Sequence, residues 1–289
     1  MENSEPVNPL NGPAYDLFYR LNALNGMLFT LEGQLNSFEK LYRESLSEAS
    51  FDTSIVFSGA SLVIRDLTEW PASGWAVYYP SGVFSSKGEE YFKLISVLLA
   101  REFSWTISQA YEAFEKFLKD VSATLFQENQ ELSEAKRVEK FESDKKSSNF
   151  TKMGIAFWRE YIDYHYQTNA DKLKLLRRIC PDISTGEKKN NRVIDLTEWF
   201  AIVKEVRDAA THSDFTIHAH RMKNWPQSKR NMLKEYFSGI FVDQEYKLNT
   251  VSKDANFCLK LFSEYSFQIY KFLSISRGYD WSILQKNGD

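Results

Sequence analysis

The chain has 289 residues, 43% hydrophobic and 26% charged, with only 12 glycines and 7 prolines. This is the composition of a globular protein able to bury a large core in one large domain or two small ones, and it excludes a disordered chain. So few turn residues, among long Leu/Phe/Lys/Glu stretches, argue against all-β and doubly wound folds and predict a helical protein. The net charge of −3 is unevenly spread. Residues 1–170 carry 16 Lys/Arg against 24 Asp/Glu, net −8, and residues 171–289 carry 20 against 15, net +5. An acidic partner would therefore approach the C-terminal half.

The first nine residues lack the basic and apolar regions of a signal peptide. The longest apolar run, 94–100, is interrupted by Ser96 and falls far short of the roughly 20 residues that span a bilayer. These features predict a cytoplasmic protein without membrane contact. Cys180, beside Pro181, and Cys258 form neither a zinc pattern nor a disulfide framework, and both read as core thiols.

In chain order, residues 1–12 read as a disordered leader and 13–289 as a single helical domain. Leu17, Leu21, Leu24, Leu28, Leu31, Leu35, Phe38 and Tyr42 alternate spacings of four and three, which predicts a first helix with a continuous apolar seam. The seam closes either on another helix of the chain, the reading preferred, or across a dimer interface. Residues 51–88 have no helical period and contain Pro71 and Pro80; they read as an irregular insertion with short strands such as 75–79. Helical period returns over 89–130, where Ile107, Ala110, Tyr111, Phe114, Phe117, Leu118, Val121 and Leu125 form one stripe.

Nearly every residue of 128–149 is polar, as expected of a solvated helix extension or a linker. Helices follow over about 153–166 and 170–179, the latter ended by Pro181, then a polar loop over 184–192. Asp195 is the expected N-cap of the next helix, with Glu198 in capping-box position. Its buried stripe is Trp199, Ile202, Val203, Val206 and Ala210, and its end falls near His212 or Ser213. Residues 237–250 read as a short hairpin or loop. A last helix runs over 252–276, with Gly278 as its stop. The pentapeptide Asp-Leu-Thr-Glu-Trp occurs at 66–70 and 195–199 without repeat architecture.

The C-terminal end of the 196–212 helix carries the chemistry. Residues 205–212 read Glu-Val-Arg-Asp-Ala-Ala-Thr-His. Arginine stays charged and presents a planar fork to phosphate oxygens, while histidine titrates near neutrality and serves as acid or base. Asp208 and His212 are four apart on one helix face, so the carboxylate would orient the imidazole. Arg207 and His212 are five apart, roughly 140° around the helix. They meet at one phosphate only if the helix frays, if the arginine curls round, or if a second protomer completes the site.

The pattern Arg207, Asp208, three residues, His212 resembles the signature of the HEPN superfamily. Residues 109–120, Gln-Ala-Tyr-Glu-Ala-Phe-Glu-Lys-Phe-Leu-Lys-Asp, also look like an early helix of several HEPN-like families. The resemblance implies an all-α, HEPN-like helical bundle and metal-independent endoribonuclease cleavage giving a cyclic phosphate, with no cofactor. It implies that Arg207 stabilises the phosphate, that His212 does acid/base work, and that a homodimer pairs two such helices in one cleft. It further implies a setting in prokaryotic defence or toxin–antitoxin systems, with an antitoxin or regulatory protein as a further partner. Asp208 departs from the Asn common in the family; it would either hold His212 cationic or repel RNA.

Downstream, Arg221, Lys223, Lys229, Arg230 and Lys234 surround Trp225 with no acid over 215–234. Upstream, Lys172, Lys174, Arg177, Arg178, Lys188, Lys189 and Arg192 outnumber Asp182 and Glu187. Basic groups interleaved with an aromatic suit single-stranded RNA, and Arg221, Lys223, Trp225, Lys229 and Arg230 are the expected RNA-binding residues. A solvated surface helix and loop would show the same pattern. His218 and His220, two apart and with no acid close in sequence, carry too little for a metal site, and none is expected. Glu115 would reach the motif helix or form a surface ion pair. The alternative to a nuclease is a catalytically inactive helical scaffold that binds RNA or a protein.

Overall fold

A computed structural model describes residues 7–48, 56–59, 64–65, 77–78, 84–144 and 154–282. The protein is mostly helical, with ten α-helices among the described residues. It separates into two compact units, Met1–Leu28 with Arg101–Asp289, and Phe29–Ala100.

The smaller unit contains the second part of α1 (Asn11–Glu48), the first part of α2 (Gly88–Glu128) and two antiparallel strand pairs. β1 (Val56–Gly59) pairs with β4 (Phe84–Lys87), Val56 opposite Lys87, and β2 (Ile64–Arg65) pairs with β3 (Val77–Tyr78). Short strands were expected in this stretch. Pro71, Pro80 and the first Asp-Leu-Thr-Glu-Trp copy lie outside the described residues.

In the larger unit, burial follows the expected stripes. Leu17, Leu21, Leu24 and Leu28 of α1 are all buried within the chain, so the seam is intramolecular over these positions. Leu31, Leu35 and Phe38 are only half-buried, and the side chain of Tyr42 lies outside the described residues. The α2 stripe from Ile107 to Leu125 is likewise buried. At its centre Phe114 stacks on Tyr265 at 5.2 Å and meets Phe200 and Phe262 at 5.3 Å each. These rings come from α7 (Leu196–His212) and α10 (Ser252–Ser276), so three helices share one aromatic core. Each such pair adds about 1 kcal/mol beyond area burial.

Three expectations change. The leader is anchored from Asn8 onward: its Nδ2 donates to Tyr270 Oη at 3.2 Å and Ser274 Oγ at 2.8 Å, and Leu10 is fully buried. The polar stretch after Glu128 forms a 3-10 turn, Gln130–Leu132, and α3 (Ala135–Asp144). Only Val138 and Phe141 of α3 face inward, but they join Phe126, Phe157, Trp158, Tyr161 and Ile162 in a second aromatic cluster on α4 (Ile155–His165). Two apolar residues at i and i+3 suffice to dock a helix otherwise too polar to register as one. Residues 145–149 lie outside the described residues.

The third change concerns 184–192. After α5 (Asn169–Ile179), whose N-cap Thr168 makes a capping box with Asp171, Pro181 opens a short helix α6 (Asp182–Lys188). Gly186 disguises it in sequence, since glycine lowers helix propensity by about 1 kcal/mol. The glycine is there for space: a Cβ would lie 1.8 Å from Gln268 Nε2 and 2.6 Å from the Phe272 ring.

The hairpin, the last helix with its glycine stop and the two core thiols match, whereas two short helices and a strand between α7 and the hairpin were not expected. Helices α8 (Ala219–Met222) and α9 (Gln227–Tyr236) lead into the hairpin of β6 (Gly239–Val242) and β7 (Glu245–Leu248). Asp243 and Gln244 at φ +49° and +68° make its two-residue turn, the left-handed pair that suits a twisted hairpin. β5 (Thr216–Ile217) adds to β7, giving the order β5-β7-β6. Gly278, at φ +72°, follows α10 as expected. Cys180 and Cys258 are both buried and unbridged, and burial pushes the Cys258 thiol well above its usual range. No helix among the described residues is long and apolar enough to cross a membrane.

Candidate active site at the end of helix α7

Helix α7 begins where Asp195 accepts hydrogen bonds from the Thr197 and Glu198 amides at 2.9 and 3.0 Å. The box is not reciprocal, because the Glu198 carboxylate takes a bond from Ser228 Oγ instead. The buried residues Trp199, Ile202, Val203, Val206 and Ala210 fix its rotation. Arg207, Asp208 and His212 are thereby left towards the rim. His212 is the last helical residue and Ser213 the C-cap. Beyond it Asp214 and Phe215 both adopt positive φ, +44° and +61°, rare for a bulky residue such as Phe. Arg101 holds that turn, 3.6 Å from Asp214 and with its guanidinium 5.2 Å above the Phe215 ring.

The motif residues sit in an ion network. Arg207 donates to Asp208 at 3.1 Å, lies 3.6 Å from Glu112 and covers the Tyr111 ring at 5.9 Å. Its Nε is buried without a hydrogen-bond partner. Asp208 also accepts from Lys204 at 3.1 Å and from Arg221 at 2.8 Å. Burial pushes the Asp208 carboxyl up, but hydrogen bonds from Lys204, Arg221 and Arg207 outweigh it and hold the group below its usual range. Arg221 additionally pairs with Glu205 at 2.7 Å. Three cations, Lys204, Arg207 and Arg221, thus meet three carboxylates, Glu112, Glu205 and Asp208.

This corrects the expected role of Asp208. It does not hold the imidazole: its oxygens are taken by cations, and His212 is exposed, with no hydrogen-bond partner among the described residues. The helix does not fray, so Arg207 and His212 keep their angular separation. Glu115 makes no ion pair with α7 among the described residues; it faces the buried Lys172 at 3.6 Å, and Glu112, one turn earlier, reaches Arg207 instead. Beside them Asn169 is buried with its Oδ1 unpartnered. Burial raises Tyr111, against a hydrogen bond from Asn169, and the charges of Glu115 and Asp208 raise it further.

The expected RNA-binding residues divide into two groups. Arg221 is spent on Glu205 and Asp208, and Lys229 lies 4.0 Å above the Trp225 ring, where desolvation lowers its pKa. Lys223 and Arg230, in contrast, line a cleft of about 510 Å³ with Ala219, His220, Phe241 and Gln244. Arg230 is anchored there through the Met222 carbonyl at 2.7 Å. Phe241 and Gln244 were missed because the hairpin brings them in from a distance in sequence, and His220, on α8, was weighed only as a metal ligand. Of the upstream basic residues, Lys172 is buried and Arg177 is half-buried on Glu187, whereas Lys174, Arg178, Lys188, Lys189 and Arg192 are exposed, Arg178 facing Glu134 and Arg192 paired with Glu264. His218 stacks on His220 at 5.8 Å and meets Glu245 at 2.8 Å, an acid that its distance in sequence concealed. Among the described residues no group of three or more His, Cys, Asp or Glu is placed to hold a metal ion.

No protein-family model matches the chain, and no curated protein and no solved structure is significantly similar to it.

Proposed function

We propose that the protein is an endoribonuclease of HEPN type whose chemistry is carried by Arg207 and His212 at the end of α7, without a metal. The observation that carries this reading is an exposed His212, with no hydrogen-bond partner among the described residues, on the same helix end as Arg207, followed in the chain by the segment whose Lys223 and Arg230 line a cleft. Cleavage needs removal of the 2′-OH proton, a cation against the charge growing on phosphorus, and a proton for the leaving 5′-oxygen. His212 serves the proton transfers and Arg207 the phosphate. Because the helix stays regular to His212, one copy does not aim both groups at one phosphate. A second copy, pairing α7 with α7, supplies the complementary group. Lys223, Arg230 and Phe241 would then guide the strand, cations on phosphates and the ring under a base.

A second reading is favoured by the neutral network around Arg207: a helical scaffold that binds RNA or a protein and cuts nothing. The two readings part on labelled single-stranded RNA in excess EDTA, beside His212→Ala. The nuclease reading expects cleavage by the wild type and at least a hundredfold loss in the variant, with RNA affinity retained. Intact RNA with both proteins, at retained affinity, selects the scaffold.

A further inference from the structure

A second cleft, of about 620 Å³, lies away from the motif between the α6–α7 loop and α10, within the size range of small-molecule sites. One wall is apolar, from Leu196, Leu261, Phe267 and Phe272. Its cations are Lys189, Arg192 and Lys271 against a single acid, Glu264, which Arg192 already engages through both oxygens. Lys189 has no ionic partner among the described residues, and Lys271 rests 4.0 Å above the Trp281 ring. Two side-chain amides, Asn191 and Gln268, face the cleft without a hydrogen-bond partner among the described residues. Gln268 is laid flat against α6 by the missing Cβ of Gly186.

The loop is built. Asn190 Nδ2 donates to the carbonyls of Gly186, Glu187 and Ile194 at 3.4, 3.3 and 2.6 Å, while its Oδ1 accepts from the Arg192 and Ile194 amides. These bonds hold Val193 at φ +56°, a conformation that a β-branched residue avoids, with the residue 91% exposed. Such strain persists only where surrounding bonds impose it, and it gathers at ligand sites. Beneath the cleft, Tyr265 donates to the buried Glu187, itself clamped by Arg177 at 2.8 and 2.9 Å, so the floor is rigid.

We infer that this cleft binds a free nucleotide, its base against Phe267 and Phe272 with its edge read by Gln268 and Asn191, and its phosphates on Lys189 and Lys271. A planar apolar face, two open amides, a lysine without an ionic partner and a second lysine held only against a ring call for a ligand with a ring, a hydrogen-bonding edge and an anion. The inference stands apart from the ribonuclease reading, since none of these residues belongs to the α7 motif.

Isothermal titration of the full chain with adenosine, guanosine, cytidine and uridine diphosphates, with pyrophosphate and with the nucleosides tests it. At least one diphosphate should bind with a Kd below about 1 mM, and more tightly than either pyrophosphate or its nucleoside. The pair Lys189→Glu and Lys271→Glu should weaken it at least tenfold, and Gln268→Ala should change the ranking among bases; unchanged melting by circular dichroism certifies the fold. Absence of binding by every diphosphate overturns the inference, as does binding that the charge reversals leave unchanged. So does pyrophosphate binding as tightly as the best nucleotide. A single-stranded RNA that displaces the nucleotide and is weakened equally by the charge reversals would reassign the cleft to a polynucleotide.

Discussion

Two carboxylates in the larger unit, Glu187 and Asp208, are both held by arginine, yet their surroundings assign them different work. The Glu187 side chain is 2% exposed, and its oxygens are taken by Arg177 in a two-point clamp and by Tyr265. That arrangement fills every valence of a buried charge and leaves nothing for a ligand. The Asp208 side chain is 13% exposed and shared among three cations, of which Lys204 is half exposed and Arg207 and Arg221 are about a third exposed or less. A partner of stronger negative charge can draw those cations away. The first is a fixed joint between α5, α6 and α10; the second is an exchangeable set of ion pairs at the proposed reaction site.

The comparison is broken most forcefully at Glu187. Glu187→Ala leaves Arg177 half-buried and uncompensated and the Tyr265 hydroxyl unpaired, so urea unfolding should show a loss of about 3 kcal/mol. A loss near zero would place Glu187 with the exchangeable pairs. Asp208→Asn should cost less, about 1–2 kcal/mol, because its three cations can turn to water. The sign with pH follows from its depressed pKa in the folded state. The stabilisation is complete above the ordinary Asp value of about 3.9 and is lost as pH falls through the lower folded value. The gap between wild type and Asp208→Asn should therefore close in acid, measured as melting temperature from pH 7 to pH 2.

The smallest effect on stability belongs to Glu112→Gln. Its side chain is 56% exposed and 3.6 Å from Arg207, a geometry worth under about 1 kcal/mol. Its effect on function is the sharper one: releasing Arg207 should tighten single-stranded RNA binding a few-fold in a filter or anisotropy assay. Weaker or unchanged binding would mean that Arg207 does not face the RNA.

Much of the fold was legible because long helices advertise themselves by period. The stripes of α2 and α7 and the seam of α1 from Leu17 to Leu28 could be read from the spacing of Leu, Phe, Ile and Val. The missed elements are those whose cause lies elsewhere in the chain. Helix α6 contains a glycine that only Gln268 and Phe272 explain, and α3 needs the α4 aromatics to be stable. The site divides in the same way. Sequence placed Arg207, Asp208 and His212 on one helix end, and it placed Lys223 and Arg230 close by. It did not reveal that Arg221 and Lys204 would claim Asp208, because ion-pair choice depends on which of many nearby charges the fold brings within 4 Å. Nor did it reveal Glu112, whose reach to Arg207 depends on how α2 and α7 cross.

The two buried thiols carry a consequence for how the chain meets oxidants and alkylating reagents. Cys258 lies on α10 and is kept protonated by its surroundings, and Cys180 caps α5 with its sulfur against the Phe272 carbonyl at 3.6 Å. Since the thiolate is the reactive form and these are the only two sulfhydryls in the chain, thiol-selective electrophiles find no cysteine on the folded surface. Thiol oxidation and thiol labelling then act on this protein only through its opening: a modified cysteine records that α5 or α10 has come apart, rather than that a sensor has been tripped.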